Sequence, residues 1–193
     1  MHKHLFILIG FIVLCAQSAL SLSNDEIIIR KGKVSEKSAS GIVKPDCTAP
    51  EVKLKQGRIC GKREVMPDGK AFYSYLGIPY AETTSGQNRW RPPVPHKEWK
   101  GVLKATAFGD SCPQSYFFDF KNPESEDCLK INVWTPEVNP KKPRAVMVFI
   151  YGGYFLRGFS GDPLYDASFI SAAGDIVVVT FNYRLGALGF LAG

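Results

Sequence analysis

The chain has 193 residues, 45% of them hydrophobic and 22% charged, with a formal net charge of +6. That length supports a substantial core and that composition is globular, which excludes disorder as the description of most of the chain. Its basic residues are scattered ("IRKGK", "KREV", "NPKKPR") and not interleaved with aromatics, which excludes the pattern of a nucleic-acid surface.

The chain opens with Lys3, an apolar run from Leu5 to Cys15, and small residues after it. A basic start, an apolar run too short to span a bilayer and a small-residue zone predict a secretory signal peptide over residues 1–21, cleaved before Leu22. The protein is therefore expected to be secreted, with no membrane association after cleavage. Cys47, Cys60, Cys112 and Cys128 remain, and an even count in a secreted chain predicts two disulfides. Three pairings are open. The local one, Cys47 with Cys60 and Cys112 with Cys128, is the simplest. Metal binding is not expected, because there is no CxxC pair and His96 is the only histidine after the leader.

Residues 22–51 are polar and Ser/Lys/Gly-rich and are expected to form a flexible leader, with the folded region running from Val52 to Gly193. "EVKLKQGRICGKREV" predicts a hairpin or two short strands, and "KAFYSYLGIPYAE" a further strand. "RWRPPVPHKEW" is too proline-rich for a helix or a central strand and is expected to cross the surface. "DSCPQSYFFDFKNPESEDC" reads as a compact loop closed by its two end cysteines. "CLKINVWTP" alternates, with Leu129, Ile131 and Val133 on one face. "RAVMVFIY" and "DIVVVTFNY" are near-continuous apolar runs, the signature of strands buried on both faces. Between them, Asp162 as N-cap, Pro163 at the first helical position and Gly174 as the stop predict a helix, and with it a βαβ unit.

The ordered segments "YLGIPYAE", "NRWRPPVP", "SEDCLKINVWTP", "VMVFIYGGYF" and "DIVVVTFNYRLGALGFL" resemble the type-B carboxylesterase and cholinesterase family of α/β-hydrolases, from about Val52 to the last residue. The resemblance implies the N-terminal part of an α/β-hydrolase fold: a mixed, mostly parallel central sheet with flanking helices. It implies a serine esterase acting on a small-molecule carboxylic ester, with no cofactor. It also implies a Cys112–Cys128 disulfide bordering the active site, an ion pair between Arg89 and Glu126, and an acidic partner further along the chain for Arg184. "YGGYF" matches the family's oxyanion loop at Gly152, Gly153 and Tyr154, with the N–H groups of Gly153 and Tyr154 as donors. Glycine or alanine is usual where Tyr154 stands. The family's cholinesterases carry a tryptophan in the disulfide loop. This loop has Tyr116, Phe117, Phe118 and Phe120 but no Trp, which counts against a cholinesterase.

The chemistry needs a serine on a G-x-S-x-G elbow, a histidine and an acid. No such pentapeptide occurs; "GFSGD" around Ser160 lacks the last glycine, and Ser160 is expected to be a turn residue. His96 and the acidic residues Glu124 and Glu126 are expected to be structural. In the family the serine, acid and histidine follow "GFL", so these 193 residues are expected to be inactive by themselves. The alternative is a non-catalytic, esterase-like adhesion or binding protein. If these residues stood alone, "VVVTF" is expected to lie at an open sheet edge and the chain to aggregate.

Overall fold

The computed structural model describes residues 47–114 and 122–191. The expected signal peptide, most of the expected leader, and the aromatics Tyr116, Phe117, Phe118 and Phe120 lie outside the described residues. Packing is already in place before Val52. Ala49 is buried, Thr48 and Ala49 both donate to the Gly61 carbonyl, and Cys47 is bridged to Cys60.

Two sheets form. The smaller has the order β1 (Val52–Lys53), β2 (Arg58–Cys60), β5 (Val102–Lys104), with β1 antiparallel and β5 parallel to β2. The larger has the order β3 (Lys62–Val65), β4 (Ala71–Pro79), β6 (Lys130–Thr135), β8 (Val177–Phe181), β7 (Val146–Phe149). β3 and β4 make a hairpin whose turn carries Pro67, Asp68 and Gly69, closed by Met66 N–H to the Lys70 carbonyl at 2.8 Å.

The expectation of a mostly parallel sheet does not hold for these residues. In the larger sheet β3–β4, β4–β6 and β6–β8 are antiparallel and β7–β8 is parallel. For two of these pairs the connection gives the reason: the tight turn between β3 and β4 yields an antiparallel pair, and the helical crossover between β7 and β8 the parallel one.

Both faces of β4 and β6 are covered. Tyr75, Ile78, Ile131 and Val133 pack against Ile59 and Leu103 of the smaller sheet and Ala105 just after it. Phe72, Trp134 and Val178 pack on the other side against Ala167 and Ala172 of the crossover. In β6 the more deeply buried positions are Asn132 and Trp134, not the Ile131/Val133 face picked out by alternation.

β7 departs from expectation more sharply. Its four residues, Val146 to Phe149, are 37–60% exposed. Among the described residues β7 pairs on one side only, with β8, and lies at the end of the strand order. β8 is interior, so "VVVTF" is not the edge; "VMVF" is.

The predicted helix is split. Asp162 accepts from Leu164 N–H, but the turn it caps is a short 3₁₀ segment, Pro163–Tyr165. The chain then extends at Asp166, whose carboxylate accepts from Ser168 N–H, and α1 runs Ser168–Gly174. The left-handed residue that ends α1 is Asp175 (φ 54°), one past the predicted glycine stop. A last short helix, α2, spans Gly186–Phe190.

Candidate active site

The chain leaves β7 through Tyr151, which is 2% exposed and stacks on Tyr183 with ring centroids 4.4 Å apart. Burial pushes both phenols above the ordinary tyrosine value. Gly152 and Gly153 follow. Gly153 has φ 138°, and a Cβ there would stand 1.9 Å from the Arg157 carbonyl oxygen, so no side chain fits.

Tyr154 and Phe155 are both left-handed, at φ 57° and 61°. The N–H groups of Leu156 and Arg157 donate to the Gly153 carbonyl, at 3.0 and 3.2 Å. The φ signs and the Leu156–Gly153 bond are those of a type I′ turn, which Asn and Gly normally occupy; here two aromatics do. Among the described residues, none accepts from the N–H of Gly152, Gly153 or Tyr154. The Tyr154 ring is 85% exposed. Phe155 packs on Phe190 of α2 at 4.6 Å, and its carbonyl accepts from Gly186 N–H at 2.7 Å.

Gly158 ends the turn. At φ 126° its Cα is pressed to the Tyr151 ring, and a Cβ would lie 2.3 Å from that ring. Gln114, two residues after Cys112, holds Gly158 at both main-chain groups: its Oε1 accepts from Gly158 N–H at 2.8 Å and its Nε2 donates to the Gly158 carbonyl at 3.1 Å.

Ser160 is 2% exposed and fully engaged. Its N–H donates to Asn182 Oδ1 at 2.9 Å, its Oγ accepts from Asn132 Nδ2 at 3.0 Å, and its carbonyl accepts from Thr180 Oγ1 at 3.1 Å. It is a structural turn residue, as expected, and its hydroxyl is buried away from any approaching substrate. Asn132 also donates to Thr180 Oγ1 and accepts from the N–H of Gly77, at the β4 bulge. Asn182 donates to the carbonyls of Asp110 and Cys128. These two buried amides join β4, β6 and β8 to the loop under the glycine turn.

The disulfides are Cys47–Cys60 and Cys112–Cys128, with Cα separations of 5.5 and 5.0 Å. The second is fully buried beside Ala81 and Leu129. Arg89 and Glu126 form a two-pronged ion pair, with Nε to Oε2 at 2.8 Å and Nη2 to Oε1. The guanidinium's hydrogen bonds hold the Glu126 carboxyl below the ordinary glutamate value. Arg184 donates to the Arg91 carbonyl at 3.0 Å. Glu124 accepts weakly from Gln114 N–H at 3.4 Å. His96 meets Lys97, Glu82 and Trp99 and no residue of the glycine turn.

The residues that the motifs point to therefore converge only in part. The glycine turn, Ser160 and the Cys112–Cys128 bridge form one assembly, linked through Gln114, Asn132 and Asn182. Those three amides were not singled out from the sequence. The signal for two of them is an asparagine inside an otherwise apolar strand, which has to be satisfied once buried.

A model of the carboxylesterase family matches residues 48–193. The chain is 45% identical over 143 residues to Esterase B1 of Culex pipiens, covering 72% of this chain and 26% of that protein. It is 42% identical over 145 residues to para-nitrobenzyl esterase of Bacillus subtilis (strain 168), covering 72% of this chain and 28% of that protein. It is also similar to an acetylcholinesterase of Danio rerio, 40% identical over 152 residues, covering 73% of this chain and 24% of that protein. The chain thus spans roughly a quarter of the length of these curated relatives. With the family model matching residues 48–193, most of its length, this chain belongs to the carboxylesterase family.

Proposed function

We propose that these residues supply the oxyanion side of a secreted serine esterase that hydrolyses a small-molecule carboxylic ester. The observation that carries this reading is the run of N–H groups at Gly152, Gly153 and Tyr154 that no described residue engages, on a turn where a glycine Cβ is sterically barred. In acyl transfer a serine attacks the ester carbonyl, and the carbonyl oxygen becomes an oxyanion. The N–H groups of Gly153 and Tyr154 donate to that oxyanion. One such donor is worth about 10²–10³ in turnover. The chain contains no G-x-S-x-G elbow to present the nucleophile to a histidine and an acid, and Ser160 is buried. The activity is that of a protein carrying all of these groups, and the 193 residues alone are expected to release no product.

The test is hydrolysis of a short-chain p-nitrophenyl ester by the protein with its serine elbow, and again after treatment with a serine-directed phosphonate. Turnover lost on phosphonylation supports the reading; absence of turnover in a folded protein overturns it. One observation favours a second reading, a non-catalytic esterase-like binding protein. A bulky, 85% exposed tyrosine stands where an oxyanion loop needs clearance. Absence of turnover together with an intact fold is the result that favours it.

A further inference from the structure

We propose that Gln114 is a positioning residue for the glycine turn: it fastens Gly158 to the Cys112–Cys128 disulfide and so fixes the direction of the N–H groups of Gly153 and Tyr154. The catalytic part of this inference rests on the esterase reading; the mechanical part does not.

The turn from Gly153 to Arg157 is not a conformation it would adopt unaided. Two consecutive aromatic residues sit at positive φ, where a Cβ crowds the following carbonyl. A strained backbone persists only when its surroundings hold it. Two of its fastenings act at the middle and the far end. Gly186 N–H grips the Phe155 carbonyl in the middle of the turn. Gln114 grips the far end.

The chemistry of that second grip is specific to an amide. Gly158 offers one donor and one acceptor, and Gln114 answers both, at 2.8 and 3.1 Å. Its Nε2 also donates to the Cys112 carbonyl at 3.1 Å. A carboxylate supplies only acceptors, and a thioether supplies neither with useful strength. Gly158 cannot shift toward the strand, because the Tyr151 ring already touches its Cα side. Gln114 in turn is anchored by its neighbour Cys112, which is 0% exposed and bridged to Cys128. The path from disulfide to amide to Gly158 to turn is one continuous set of short contacts.

The test uses Gln114→Met, which keeps the shape and removes the bonds, and Gln114→Glu, which keeps the bond to Gly158 N–H and loses the donors. Two readouts are taken on the protein with its serine elbow. The first is amide hydrogen exchange. The amides of Leu156, Arg157 and Gly158 exchange at least about 10-fold faster in Gln114→Met, while those of β4, β6 and β8 keep their protection. The second is ester hydrolysis. Gln114→Met loses about 10- to 100-fold in kcat with KM within about twofold, and Gln114→Glu falls between it and the parent.

Unchanged exchange in the turn overturns the proposal, and so does faster exchange with kcat intact. Loss of protection throughout both variants, without a local excess in the turn, also overturns it, because Gln114 then acts only on global stability. If the parent protein hydrolyses no ester, the esterase reading falls, and exchange alone decides whether Gln114 holds the turn.

Discussion

Tyr151 and Tyr183 are locked to each other twice over. Their rings stack, and each phenol donates to the other's main-chain carbonyl, Tyr183 Oη to Tyr151 at 2.7 Å and Tyr151 Oη to Tyr183 at 3.4 Å. Tyr151 is the last residue before the glycine pair, and Tyr183 the second after β8. The pair therefore joins the ends of two parallel neighbours at the point where the glycine turn begins. That turn lifts away from a fixed base.

The two phenols are not equivalent. Tyr183→Phe strips the short bond from the carbonyl of a 2% exposed residue. An unsatisfied buried acceptor costs about 1–3 kcal/mol, whereas Tyr151→Phe removes two long bonds, to the Tyr183 carbonyl and from the Tyr183 N–H, both at 3.4 Å, and costs about 1 kcal/mol or less. Urea titration of the two variants, with unchanged m-values, measures the difference. Equal losses would show that the stacking, and not the hydrogen bonds, holds the pair.

Asn132 and Asn182 are buried side chains that each make three hydrogen bonds. The Asn132 amide serves Gly77, Ser160 and Thr180 at once. Asn132→Leu fits the volume and leaves those three polar groups without it, so a loss of about 3 kcal/mol or more is expected. Thr180→Val removes one member of the same network. The double variant should lose clearly less than the sum of the two single losses, because both break a shared contact. Strict additivity, measured by chemical denaturation, would mean that the network does not act as a unit.

What the sequence made legible was mostly what periodicity and punctuation encode. The strands β4, β6 and β8 follow from alternation and apolar runs, and the surface crossing from its prolines. Arg89 with Glu126 and Cys112 with Cys128 came through the family's motifs. Periodicity reports burial but not partners, which is why Asn132 and Gln114 escaped it. It also reports intrinsic burial and not position in the sheet, so "VMVF" read as a central strand and stands at an edge. The split of the crossover helix escaped because Asp162 caps only a 3₁₀ turn and Asp166, extended after it, accepts from Ser168 N–H where α1 begins.

The Arg89–Glu126 pair sets an acid dependence. Arg89 holds the Glu126 carboxyl below its ordinary value, so in mild acid the folded protein binds fewer protons there than the unfolded chain. The pair's contribution is fully present above the unfolded glutamate value of about 4.3 and is lost as pH falls through the lower folded one. Glu126→Gln should therefore be less stable than the parent at neutral pH, and the two melting curves should converge in acid. Parallel curves from pH 7 to pH 3 (roughly the span of that titration) would assign the acid response to other carboxylates.

Tyr154 offers the sharpest test of the turn. Its ring is 85% exposed, so deleting it loses little burial. Its backbone is left-handed at φ 57°, a conformation that costs a Cβ-bearing residue about 1–2 kcal/mol and glycine nothing. Glycine's extra freedom in the unfolded chain returns about 0.5–1 kcal/mol of that. Tyr154→Gly should therefore gain on the order of 0.5–1 kcal/mol, while Tyr154→Ala, which keeps the Cβ, should gain nothing. The same pair separates strain from bulk at the proposed oxyanion site. Both variants remove the ring, so if the ring limits access, both should raise kcat/KM for bulky acyl esters relative to acetate esters. A selectivity change in Tyr154→Gly alone assigns the effect to backbone geometry at the donor, and no change in either places the ring outside the path of the acyl group.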